Sequence, residues 1–91
     1  MLALVVRIYT TTYCGYCHAA KSLLENKGVA FEEIDCTRDP ELRRWLVERT
    51  GRRTVPQIFI HDQSIGGYDE LRALEREGKL DSMLQASPAA G

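Results

Sequence analysis

No stretch of this 91-residue chain is both long and apolar. The opening run from Met1 to Val6 stops at Arg7, shorter than a signal-peptide core and far short of a membrane span. A buried strand is the simpler reading, and a cytoplasmic location with no membrane partner is the expectation. Charge of one sign is equally scarce. Lys and Arg number 12 against 13 Asp and Glu, a formal net charge of −1, so no nucleic acid partner is expected either. Cysteine is too sparse for a disulfide scaffold: three residues cannot all pair, and a reducing compartment seldom keeps structural disulfides. The length gives room for one core and no more, burying on the order of 60% of the unfolded chain's surface. The expected domain is 1–85, with a frayed small-residue tail over 86–91.

What is present is a regular succession of elements. Leu4 to Tyr9 reads as a strand rich in Val and Ile. Thr10 to Tyr13 is a polar connection. Gly15 to Lys27 reads as a helix with Ala20, Leu23 and Leu24 at helical spacing and Gly28 as its stop. Val29 to Asp35 is a second strand. Asp39 and Pro40 look like an N-cap and first turn, opening a helix through Leu42, Trp45 and Leu46 that Gly51 ends. Gln57 to His61 and Gln63 to Ile65 form a hairpin around Asp62, broken by Gly66-Gly67. Tyr68 to Glu77 is a helix with Leu71 and Leu74 inward and Gly78 as its stop, and Leu80, Met83 and Leu84 suggest one more helical turn. The order β-α-β-α-β-β-α starts with a right-handed parallel unit and ends on an antiparallel hairpin. It predicts an α/β fold, a four-stranded mixed sheet with helices on both faces, which is the thioredoxin-like arrangement.

The chemistry concentrates at Cys14-Gly15-Tyr16-Cys17. Cys14 falls where a loop meets a helix, beside the free N–H groups of the first turn and the positive end of the helix dipole. Such positions lower a cysteine pKa from about 8.5 into roughly 3.5–7.5. Cys17, one turn inside, is less exposed but close enough to attack a disulfide formed at Cys14. Cys14 attacks and Cys17 resolves. Zinc needs four ligands, and only Cys36, His18 and His61 remain without a second such pair. Cys14 to His18 also spells a haem attachment, which belongs to exported proteins and needs an axial partner. No resident metal is expected from either pattern.

Two further segments bear on what the thiol meets. Thr54-Val55-Pro56 precedes a strand. A cis Val55–Pro56 bond would turn the Val55 backbone outward beside Cys14, ready to pair with an extended peptide, whereas a trans proline would only start an edge strand. Gly66-Gly67-Tyr68-Asp69 opens a helix whose N–H groups attract a carboxylate, while Asp69 can cap the helix and accept from an ammonium group. A ligand carrying an α-carboxylate and an α-amine fits, as the γ-glutamyl end of glutathione does. A plain helix cap is the alternative.

Tyr9-Thr10-x-x-x-Cys14-Gly15-Tyr16-Cys17-His18, then Thr54-Val55-Pro56-Gln57-Ile58-Phe59-Ile60, then Ile65-Gly66-Gly67-Tyr68-Asp69-Glu70-Leu71 closely resembles the glutaredoxins, over Leu4 to about Leu84. The resemblance implies the thioredoxin-like fold, a cis Pro56, and glutathione held by Cys14, Tyr16, Thr54, Val55, Gly67, Tyr68 and Asp69. It implies a monomeric enzyme that reduces disulfide-containing or glutathionylated proteins, recycled by free glutathione and the NADPH-dependent glutathione reductase. Three departures stand out. Thr11 occupies a position where a lysine is common, with Arg49, Arg52 or Arg53 as substitutes; Arg53, next to Thr54, is the candidate carried forward. Gly15 replaces a frequent proline, and Tyr68 a frequent cysteine or serine.

Gly15 also motivates an alternative, a [2Fe–2S] cluster shared by two protomers through Cys14 of each and two glutathiones. A redoxin fed by thioredoxin reductase is a third possibility, which the Gly67–Asp69 segment argues against. Of the remaining residues, Cys36 is expected in the core or at its boundary, Trp45 in the core, His18 at the surface, and Tyr16 in the site. Glu32, Glu33 and Asp35 read as a solvated strand face and not as an acid–base pair.

Overall fold

Side chains alternate across a strand, so one strand can serve two cores if a helix layer covers each face. Val6 and Ile8 join Ala20, Leu24, Ile58, Ile60, Leu71 and Leu80 in one buried cluster. Tyr9, the next residue after Ile8, points to the opposite face and joins Cys36, Leu46 and Phe59 in the other. The computed structural model describes residues 5–85. Its elements are β1 (Val6–Thr10), α1 (Gly15–Asn26), β2 (Glu32–Asp35), α2 (Pro40–Thr50), β3 (Gln57–Ile60), β4 (Gln63–Gly66), α3 (Tyr68–Arg76) and α4 (Leu80–Gln85). The sheet order is β2-β1-β3-β4. β1 runs parallel to β2 and antiparallel to β3, and β3 runs antiparallel to β4. The cluster memberships put α1, α3 and α4 on one face and α2 on the other. The expected α/β thioredoxin-like arrangement is the observed one.

Local signals fix the ends of these elements. Asp39 Oδ1 accepts from the Leu42 N–H at 3.0 Å, with Pro40 in the first turn, and Gly51 closes α2 in a left-handed conformation. His61 and Asp62 both have positive φ, as a tight two-residue hairpin requires. Lys27 ends α1 in ion pairs to Glu75 at 2.8 Å and Asp81 at 2.9 Å, tying that helix to α3 and α4.

The differences from expectation are local. β1 ends at Thr10 instead of Tyr9; the beginning of the expected strand at Leu4, like the tail over 86–91, lies outside the described residues. β2 spans only Glu32–Asp35, because its register with β1 begins at Glu32 opposite Arg7. Val29 and Phe31 still pack against the first core without joining the ladder. Trp45 is not inside the core but 41% exposed. Its ring lies over Phe59 at 6.0 Å and beside Tyr9 at 5.8 Å, covering the second cluster from outside. Cys36 is fully buried, its thiol 3.1 Å from the Thr10 carbonyl.

Candidate active site

β1 and the loop after it deliver Cys14 to the N-cap of α1. Its backbone is extended (φ −141°, ψ 106°), which frees the side chain to turn back over the first helical turn. The Cys14 Sγ accepts the Cys17 N–H at 3.1 Å. It also lies 3.5 Å from the Val55 carbonyl oxygen, within reach of a thiol donor. Cys17 sits below it, 2% exposed. Burial pushes the Cys17 thiol up to about 12; its contact with Cys14 adds to that, while a backbone hydrogen bond from Thr11 and the charge of Lys21 oppose it. One sulfur is therefore presented and the other withheld as a thiol.

The Val55–Pro56 bond is cis. Next to it runs a groove of about 340 Å³ with two walls. Arg52, Thr54, Val55 and Pro56 form one wall; Gly67, Tyr68, Asp69 and Glu70 at the start of α3 form the other. Tyr16, 67% exposed, contributes its ring, which stacks on Tyr68 at 6.3 Å with an interplanar angle of 29°. Seven of the expected site residues thus meet in one place: Tyr16, Thr54, Val55, Pro56, Gly67, Tyr68 and Asp69. Cys14 adjoins them through Val55.

Thr11 and Arg53 do not line this groove. Thr11 turns its backbone to Cys17. Arg53 is exposed, and Arg52 takes the wall in its place. Arg49 is committed elsewhere, donating to the Asp62 carbonyl at 2.9 Å with its guanidinium over the Phe59 ring. His18 is exposed, as expected.

A second correction concerns the cap of α3, which Glu70 supplies and Asp69 does not. Glu70 Oε1 accepts the Gly67 N–H at 2.7 Å and the Arg52 guanidinium at 2.8 Å. The reason is helical geometry: Glu70 stands three residues into the helix, where a side chain can fold back to the N-cap. Its carboxyl is held below the usual carboxylate range, first by Arg52 and then by the Gly67 N–H. The pattern Gly67-x-x-Glu70 was readable as a capping box, but Arg52 had no signal separating it from Arg53. The same carboxylate restricts Gly66, where a Cβ would meet Glu70 Oε1 at 2.6 Å on a backbone of φ +107°. A Cβ on Gly67 would come within 3.1 Å of the Pro56 carbonyl, so the two walls touch there.

Among the described residues no three His, Cys, Asp or Glu side chains gather as metal ligands. The arrangement suits thiol chemistry: a presented sulfur, a second sulfur behind it, and a groove for an extended ligand.

Comparison with known proteins agrees with this geometry. The family profile for glutaredoxin matches residues 6–65. A glutaredoxin of Pseudomonas aeruginosa is 56% identical over 81 residues, spanning 89% of this chain and 96% of the relative. Glutaredoxin 3 of Escherichia coli K12 is 50% identical over 80 residues, 88% and 96% of the two chains. Among solved structures, a buckwheat glutaredoxin–glutathione complex superposes with a TM-score of 0.84 at 35% identity, over 88% of this chain and 76% of that one. With that identity sustained along almost its whole length, the chain belongs to the glutaredoxin family and is a thiol–disulfide oxidoreductase.

Proposed function

We propose that this enzyme is glutathione-dependent, with Cys14 as nucleophile and Cys17 as resolving thiol. The observation that carries the reading is the position of the Cys14 sulfur, 3.5 Å from the Val55 carbonyl at the edge of the groove. An extended tripeptide disulfide-bonded to Cys14 would pair with the Val55 backbone and reach α3. There the opening N–H groups at Tyr68 and Asp69 have no partner within the helix and suit the γ-glutamyl carboxylate. The exposed Asp69 suits the α-ammonium. Arg52 is the cation on the opposite wall, in reach of a second carboxylate. The buckwheat relative was solved as a glutathione complex, which supports the same ligand here.

Cys14 thiolate attacks the glutathione sulfur of a mixed disulfide, and the client thiolate leaves and takes up a proton. A second glutathione thiolate then attacks the glutathione sulfur on Cys14, giving glutathione disulfide and free Cys14. With a protein disulfide, Cys14 first forms a mixed disulfide with the client. Cys17 then attacks Cys14 and releases the reduced client, and two glutathiones reduce the Cys14–Cys17 bond, leaving as glutathione disulfide. Glutathione reductase and NADPH regenerate glutathione. That supply belongs to the cytoplasm, the compartment proposed here; among the described residues no helix is long and apolar enough to cross a membrane.

The test is turnover of a glutathione mixed disulfide coupled to NADPH through glutathione reductase. Wild type and Cys17→Ser are expected to turn over while Cys14→Ser is silent. Silence in all three would overturn the reading. A [2Fe–2S] cluster would need glutathione as the second ligand on each side, and colour and mass after anaerobic reconstitution separate that alternative. Gly15 alone motivates it: a Cβ there would meet nothing within 4 Å, so the residue reserves no space.

A further inference from the structure

Cys17, Lys21 and Leu24 stand four and three residues apart on α1, the spacing of a single helix face. Cys17 and Leu24 are buried. A lysine in the middle of a core-facing stripe needs an explanation, and its side chain is only 27% exposed. Both carboxylate oxygens of Glu33 hold the Lys21 ammonium, at 3.2 and 3.0 Å. Glu33 also accepts the hydroxyl of buried Thr10 at 2.8 Å, and Thr10 leads directly into Thr11, whose backbone faces Cys17. The result is a half-exposed polar cluster on the face of α1 that carries the resolving thiol, between α1 and the edge strand β2.

Side chains at this spacing have Cβ atoms about 5–6 Å apart, so the stem of Lys21 starts one turn along the same helix face from Cys17. The other charges on this side are few. Asp35, further along β2, also feels Lys21 but is engaged by Thr37 and Thr12. His18 on α1 is exposed, and α3 pairs with α1 further down, through Lys27 and Glu75.

We propose that Lys21, gripped by Glu33, is the positioning charge for the resolving step, stabilising the thiolate that forms on Cys17. This rests on the glutathione reading above and extends it. When Cys17 resolves a Cys14–glutathione disulfide, its proton leaves to solvent and its sulfur bonds to the Cys14 sulfur. The bond from Cys14 to glutathione breaks, and the departing thiolate is protonated. In the reverse direction Cys17 is the leaving group and carries the negative charge. A buried sulfur is poor in both roles. An ammonium held on the same helix face by Glu33 improves both, and Glu33 sets how much of that charge the sulfur feels.

Mixing the reduced enzyme rapidly with excess glutathione disulfide separates the two steps. One glutathione is released as Cys14 attacks and a second as Cys17 resolves, so the dithiol is oxidised while one disulfide is reduced to two thiols. Lys21→Met is expected to slow the second phase relative to the first by about tenfold, as loss of a nearby, partly neutralised charge predicts. Lys21→Arg restores most of the rate. Glu33→Gln accelerates the second phase, because it removes the neutralising carboxylate while keeping a hydrogen-bond acceptor. A merely structural ion pair predicts the same direction for Lys21→Met and Glu33→Gln, and that result would overturn the proposal, as would an unchanged phase ratio in Lys21→Met. Absence of even the first phase would defeat the glutathione reading itself and the proposal with it.

Discussion

A sulfur at a helix N-cap collects N–H groups that favour its anion, whereas a sulfur one turn inside loses water and gains little in return. Cys14 accepts a first-turn N–H at the N-cap of α1, Cys17 is buried one turn inside, and Cys36 is buried beneath the sheet. Burial pushes the thiols of both Cys17 and Cys36 up. Brief treatment of the reduced protein with iodoacetamide near pH 7.5 should therefore add one carbamidomethyl group, on Cys14, with the other two at least roughly tenfold slower. Peptide mass mapping checks it. Comparable labelling of Cys17 would mean that the resolving thiol is not withheld. At this scale the sequence was legible for the placing of Cys14 at the start of α1 and Cys17 one turn inside it, because their spacing and their place before a helix are local facts. Glu33 reads as part of a solvated strand face and is exposed there; what the sequence did not show was its partners. The groups that claim Glu33, Thr10 and Lys21, come from two other elements.

Elements meet at the start of α3, where one carboxylate caps the helix, holds Arg52 and crowds Gly66. Gly66→Ala places a Cβ against Glu70 on a backbone that L residues rarely adopt. Strain of that kind costs about 1–3 kcal/mol before any loss of the cap. The urea midpoint should fall accordingly, and it should fall less when Gly66→Ala is made in a Glu70→Ala background, where the crowding carboxylate is gone. Equal losses in both backgrounds would show that the contact is not limiting. Helix boundaries were legible within a residue or so because caps and glycine stops are written locally: Asp39-Pro40 opens α2 and Gly51 closes it. β2 was less legible, since how far an edge strand pairs depends on the register of its neighbour. Trp45 misled for a related reason. Its apolar surface is satisfied by stacking on Phe59 and tilting against Tyr9 without entering the core, and only the assembled sheet reveals that.

The whole molecule keeps two buried thiols, Cys17 in the first turn of α1 and Cys36 in the cluster beneath α2, and this makes its stability depend on pH from the alkaline side. An unfolded cysteine titrates near 8.5, while folded Cys17 keeps its proton to about 12 and Cys36 is raised as well. Above about pH 8.5 the unfolded chain therefore binds fewer protons than the native one, and stability falls as pH rises, by at most roughly 1.4 kcal/mol per pH unit for each thiol. The carboxylates set the other limit. Glu70 and Asp35 are held below their usual range, so their contribution is present at neutral pH and is lost as pH drops through those lowered values. A plateau between about pH 5 and 8 follows, with a decline beyond it on both sides. Lys27 adds an alkaline loss only from about pH 10.4, where an unfolded lysine starts to give up its proton while the folded one keeps it, so the window from pH 8 to 9.5 isolates the thiols. Urea midpoints of the reduced protein across that window should decline, and they should decline less steeply in Cys36→Ala. That variant leaves a void and will be less stable at every pH, so the slope carries the test and the height does not. If the slopes of wild type and Cys36→Ala coincide, the buried thiol beneath α2 is not holding its proton against the solvent.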